Sequence, residues 1–473
     1  MTDKTAQSTP TPPAALAGHV SRRNFFRAAG VGAAALGGGA LLDACSSGLK
    51  GSTSSSASSS SGSASGGSSS GGEITIGWIH PITGSLASFG APDTWLIQQV
   101  MATPQYKNGF KIGGKTYTVN IKSYDSQSSV TTAGNLAKQA IQGDNVDLLL
   151  ASSTPETVNA VASQANTLGT PLICANVPWE SYYANLKGNP QKPTLKPKYS
   201  VMYFVGAEHL VECFIPMWNR IGKEKGNNHI VAAAFPNDAD GQAFSAVFPP
   251  IAKGAGYTVD LSAAYTDGLQ NYSSMISQFK SKGADFFTNV PLPPDFAVMW
   301  KQSVQQGFKP KLATVAKVLL FPEDAYALGN LVENVATDTW WVPTLPWHSS
   351  FTGQSCSDLA KAYTAAGHGQ PSANISNYTL FEIAQKAFTS VDNPKDHDAV
   401  AAALYQVQLP DAVAGPIDFT SAKNPAPGVA ITPPVGIQWQ KVKGSPYALD
   451  AVVVDNTLQP QAKITGDLLP TFA

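Results

Sequence analysis

From residue 73 onward the chain runs twice through an alternation of short apolar strands and helix-spaced segments. Residues 73–79 (EITIGWI) form an apolar strand, 93–101 carry a helical pattern, and 116–122 (TYTVNIK) alternate as a half-buried strand. Val130, Ala133, Ala137, Ala140 and Ile141 follow at helical spacing; then come strand 146–150 (VDLLL), a helix bearing Val158, Val161, Ala162 and Ala165, and strand 171–174 (PLIC). Parallel neighbours in a sheet need a crossover, usually a helix packed on the sheet face, so this order predicts a mostly parallel sheet covered on both sides. A second series starts at 230–235 (IVAAAF) and passes through 256–259 and 284–287 to 311–315. The expected fold class is therefore α/β, with two similar lobes, each a doubly wound, mostly parallel sheet. With 31 basic against 32 acidic residues the formal net charge is -1, which excludes a basic nucleic-acid binder.

The first 72 residues read as address and tether. Ser21-Arg22-Arg23-Asn24-Phe25-Phe26 precedes an uncharged stretch, 28–42, that is shorter than the roughly 20 residues of a membrane span, so residues 1–45 are an export signal. The paired arginines resemble a twin-arginine signal, and Leu42-Asp43-Ala44-Cys45 resembles a lipobox, in which Cys45 would receive the lipid. Asp43 departs from the small or apolar residue usual there. Residues 46–72 are nearly all Ser, Gly and Ala and form a flexible linker. The body retains Cys174, Cys213 and Cys356, enough for one disulfide and one free thiol.

Ligands of open parallel sheets sit beyond the carboxyl ends of the strands, which selects the loops 81–90, 151–156, 174–180 and 237–241. Pro81-Ile82-Thr83-Gly84-Ser85-Leu86-Ala87-Ser88-Phe89-Gly90 resembles the P-x-T-G-x-x-A-x-x-G opening of the leucine/isoleucine/valine-binding family of type I periplasmic binding proteins. Ala151-Ser152-Ser153-Thr154, Asn237-Asp238-Ala239-Asp240-Gly241 and Gly415-Pro416-Ile417-Asp418-Phe419 match later motifs of that family, in order and spacing. The resemblance implies two lobes joined by a hinge of three crossovers, near 198–204, 335–342 and 434–439. Lobe 1 would comprise 73–200 and 338–436, lobe 2 201–337 and 437–473. It also implies an extracytoplasmic, lipid-anchored monomer that closes on a small solute and presents it to the permease subunits of an ABC transporter.

For the site, Ser152, Ser153 and Thr154 lie where Pro155 could open a helix, so hydroxyls and N–H groups would converge on a carboxylate, or one of them would only cap that helix. The family role of carboxylate holder falls on Ser153 and Thr154. Val177 and Trp179 occupy the loop that contacts the ligand's amino group in the family; Pro178 brings no N–H, and Trp179 is expected to form an aromatic wall with Phe89. Trp78 is a candidate wall of the pocket but, belonging to a strand, is expected in the core sooner than in the pocket, and His80 could donate to a ligand oxygen or serve the core. Asp238 and Asp240 could accept from an ammonium or cap the following helix. Lys317 stands where the family places an acid for the amino group; as a cation it would repel an ammonium, so the expected ligand is a small carboxylate or amide with an apolar or aromatic body rather than an ordinary branched-chain amino acid.

No catalytic residue, cofactor or metal ligand is assigned. Gly109-Phe110-Lys111-Ile112-Gly113-Gly114-Lys115-Thr116 fits a phosphate-loop pattern, but the strand follows the glycines instead of preceding them, so a hairpin turn is expected there. A calcium loop at 236–247 lacks its terminal Glu. H-E-x-x-H does not occur, and G-x-S-x-G does not occur between residues 73 and 473. The alternatives to a transport receptor are a sensing module without transport and, behind it, a secreted hydrolase.

Overall fold

The computed structural model describes residues 69–472. The export signal, Cys45 and the linker up to residue 68 lie outside the described residues. In chain order the strands are β1 (Ser69–His80), β2 (Phe110–Ile112), β3 (Lys115–Asp125), β4 (Leu148–Ser152), β5 (Leu172–Ala175), β6 (Ser200–Phe204), β7 (Ile230–Ala234), β8 (Thr258–Leu261), β9 (Phe286–Asn289), β10 (Leu312–Val315), β11 (Ala336–Thr339), β12 (Gln408–Leu409), β13 (Ile417–Asp418), β14 (Val429–Ile431), β15 (Val435–Gln440) and β16 (Asp450–Asp455). They build two seven-stranded sheets, ordered β14-β6-β5-β4-β1-β3-β2 and β16-β15-β11-β10-β9-β7-β8.

The first sheet is parallel except for β2, which pairs antiparallel with β3 across the Gly113-Gly114 turn. The second is parallel from β8 to β11, with β15 and β16 added antiparallel. Strands covered by helices on both faces cannot alternate in polarity, and β4, β5, β6, β9, β10 and β11 are buried along their full lengths. In β7, Val231 and Ala233 face one core while Ala232 and Ala234 face the other, so the strand period divides the second lobe between two hydrophobic clusters.

Two boundaries of the expected layout move. The linker was expected to run to residue 72, but Ser69 and Ser70 already pair with Lys115 and Thr116, because a ladder needs only backbone groups. The lobe limits shift as well: β6 belongs to the first sheet, so the first crossing follows Phe204 and not residue 200. β11 to Thr339 belongs to the second sheet, as does β15 from Val435. In each case the strand completes its ladder before the chain leaves the sheet. Among the described residues the chain thus passes between the sheets three times. Cys174, Cys213 and Cys356 are buried and unpaired, so the disulfide their number allows is not formed. No helix among the described residues is long and apolar enough to cross a membrane.

Candidate functional site

The ends of β1, β4, β5 and β6 in one lobe and of β7, β9 and β10 in the other meet at a cleft with ≈ 350 Å³ of empty space. The 81–90 loop is pinned from below: Asp125 accepts from the N–H groups of Ile82 and Thr83 (3.0 and 3.1 Å) and from Thr83 Oγ1 (2.6 Å). A short 3-10 turn, Ala87–Gly90, ends where a Cβ on Gly90 would collide with the Pro81 carbonyl oxygen, so glycine there lets the loop fold back on itself. That return presents Phe89 to the cleft, 4.5 Å from the ring of Phe321 on the other lobe.

β4 ends at Ser152, and the next two side chains turn into the cleft. Thr154 holds the N-cap position of helix Pro155–Leu168 but makes no capping bond, and the hydroxyls of Ser153 and Thr154 are buried without a partner. Buried hydroxyls cost stability when unpaired, so two of them side by side at a helix start form a vacant site for an acceptor. Ser152 turns the other way: it accepts from Trp78 Nε1 (3.0 Å) and Asn377 Nδ2 (3.3 Å) within the lobe core.

Trp78 and His80 are core residues. Their rings stack at 4.4 Å, and His80 is held by Asp93 Oδ2 at 2.8 Å and Ser123 Oγ at 2.7 Å, so the histidine that could have met a ligand is satisfied inside the lobe. Burial holds the Asp93 carboxyl above its ordinary value, and the His80 contact offsets only part of that rise. The 174–180 loop also departs from expectation. Asn176, at φ 62°, and Pro178 line the cleft, whereas Val177 is fully buried away from it. Trp179 starts helix Trp179–Asn185 and donates its Nε1 to Glu208 Oε1 at 2.8 Å, so the expected aromatic wall is not Trp179. Its place is taken by Phe204, Phe244 and Trp340, together with Leu210, Val290 and Leu320.

On the second lobe Asp238 caps helix Ala239–Gly254, accepting from Gly241 N at 2.7 Å. Lys317, at φ 72°, reaches in behind it: Nζ lies 2.7 Å from Asp240 Oδ2, 3.3 Å from Asp238 Oδ2 and 3.3 Å from Glu156 Oε1. The last contact joins the lobes. The three carboxylates could hold an ion, since one oxygen of each lies within 4.8 Å of the others, but the ammonium fills that role. Burial would lower Lys317; the three acids outweigh it and hold the amine well above its ordinary value. Burial raises Glu156; the Lys317 ammonium and the hydrogen bonds to the carboxylate together outweigh it and bring the group down to about 2. Asp240 stays above the usual carboxylate range because burial exceeds the pull of Lys317. The expectation that Lys317 faces the ligand as a free cation is thus corrected: its charge is spent on three carboxylates.

Asp338 escaped the sequence reading. It is fully buried at the second crossing, lines the cleft, keeps Oδ1 unpartnered, and is pushed up to about 7 by burial alone. Its only sequence signal is its place in the 335–342 crossing. Asn176 offers a second unpartnered oxygen, since its Nδ2 is used on Asn374 and Asn377 while Oδ1 is free.

A model of the family described as periplasmic binding protein matches residues 73–431. Among solved structures the chain is similar to a leucine-binding protein, LivK, from Thermotoga maritima (18% identity, TM-score 0.64, covering 81% of this chain and 99% of that one). It is also similar to a solute-binding protein of an ABC transporter from Rhodopseudomonas palustris in complex with 3,4-dihydroxybenzoic acid (16%, 0.63, 81% and 96%). A third is the branched-chain amino acid transporter substrate-binding protein LivJ from Streptococcus pneumoniae in complex with isoleucine (15%, 0.61, 80% and 99%). At these identities the structures speak for the fold; the family match, over most of the chain and with the two lobes and their cleft, places this chain in the periplasmic binding protein family.

Proposed function

We propose that this chain is the extracytoplasmic solute receptor of an ABC importer, exported by the twin-arginine route and anchored through a lipid on Cys45. In this reading it captures a small carboxylate or amide with an apolar or aromatic body and presents it to the permease subunits. The observation that carries the reading is the meeting, in one cleft, of two vacant hydroxyls at a helix start with walls of Phe89, Phe204, Phe244 and Trp340. Hydroxyl and N–H donors suit a carboxylate oxygen, and flat apolar faces suit a ring.

The similar structures hold an aromatic acid in one case and an amino acid in another. Lys317 favours the first. Glu156, Asp238 and Asp240 are three acids that an α-ammonium would seek, and an ammonium of the chain itself already pairs with them. A ligand without an amino group needs no such partner. Titration calorimetry on protein lacking its N-terminal 45 residues tests this with 4-hydroxybenzoate, leucine and urea. The benzoate should bind at least about tenfold more tightly than leucine, a difference of ~1.4 kcal/mol. Tight binding of leucine with no affinity for the benzoate overturns it.

A further inference from the structure

The second crossing has two sides. Asp338 and Trp340 line the interlobe cleft, whereas Thr339 and Trp341 line a different cavity. Successive side chains of an extended segment point to opposite faces, so this second cavity lies on the back of the hinge. The first lobe contributes Trp341 and Ser372 to its walls, and the second contributes Trp439, Tyr447 and Asp450. Among its lining residues Asp450 is the one charged group.

Ser445 Oγ donates to Asp450 Oδ1 at 3.0 Å, but Asp450 Oδ2 is buried with no partner. The hydroxyl of Ser372, a residue 6% exposed, is buried and unpartnered as well. Asp450 Oδ2 has no donor within the chain, which leaves it open to a donor from outside the protein, a water or a ligand. Indole and phenol faces beside it attract positive charge, and a single acid repels an anion.

We propose that this back-of-hinge cavity is a second ligand site, which takes a small organic ammonium ion with an apolar body. The ammonium donates to Asp450 Oδ2 and Ser372 Oγ, and the apolar part lies against Trp341 and Trp439. Such a ligand touches both lobes, and Leu320 lines both cavities, so its occupancy favours the interlobe angle at which the two cavities have these walls.

Calorimetry with benzylamine, protonated at pH 7, and its neutral counterpart benzyl alcohol tests the assignment without reference to the cleft ligand. Benzylamine should bind one per chain, and benzyl alcohol at least about tenfold more weakly. Asp450→Asn should weaken the amine by a similar factor and Ser372→Ala by a smaller one, with the thermal transition of each variant recorded to show that it folds. Asp338→Asn, directed at the cleft, should change amine binding much less than Asp450→Asn does. Absence of amine binding, equal affinity for the alcohol, or loss of binding in Asp338→Asn but not in Asp450→Asn overturns the proposal.

Discussion

At the residue scale the cleft is shaped by one charge that is spent and one that is held back. Lys317 is committed to Glu156, Asp238 and Asp240, so replacing it with Met leaves three acids crowded together; loss of one partner from a buried ion pair typically costs about 3–5 kcal/mol, and urea unfolding should show a loss of that order. Asp338 is the opposite case. Raised to about 7 by burial, it is neutral below that pH and anionic above it. An anionic ligand should therefore bind more weakly as pH rises from about 6 to about 8, while Asp338→Asn should flatten that profile. Calorimetric affinities across this range check both curves; an affinity that rises with pH would show that Asp338 does not face the ligand's charge.

At the scale of elements, the family motif at 237–241 acts through backbone geometry as much as through side chains. The 237–241 turn works because Gly241 approaches the Pro236 carbonyl so closely that a Cβ would collide with it, while its N–H meets Asp238. Gly241→Ala should destabilise the second lobe by about 1–3 kcal/mol, read from the shift of the urea midpoint at unchanged slope. Strand and helix order was legible because burial on both faces forces continuous apolar runs such as Leu148–Ser152, and the misplaced phosphate-loop pattern was recognisable as a hairpin from the strand that follows it. The cleft walls were not legible. Leu210, Phe244 and Val290 sit in ordinary apolar contexts, and only the approach of the lobes distinguishes them from core residues. Trp179 erred in the other direction: a polar tip in a loop looked outward, but Glu208 satisfies it within the fold, whereas for Trp78 and His80 the core, already one of their two expected places, prevailed because Ser152 and Asp93 meet their polar atoms there. Lys317 could be located but not interpreted, since its partners come from two segments far from it in sequence, Glu156 and the 237–241 turn.

For the whole molecule, two lobes are joined by three crossings of the chain and touch through Lys317–Glu156 and Phe89–Phe321 in the cleft and through the hydrogen bonds Trp179–Glu208 and Tyr326–Gln370. Opening exchanges these contacts for water, and a solute bound between the lobes adds contacts that only the closed form makes, so solute binding should favour closure. If Cys45 carries the anchor, Cys45→Ser should move the protein from the membrane fraction to the soluble one, as followed by fractionation and immunoblotting; unchanged membrane association would remove the lipid from the account. Small-angle X-ray scattering on the soluble body, with and without a saturating solute chosen by calorimetry, addresses capture by closure itself. A smaller radius of gyration in the saturated sample is expected, and superimposable curves at proven saturation would contradict it.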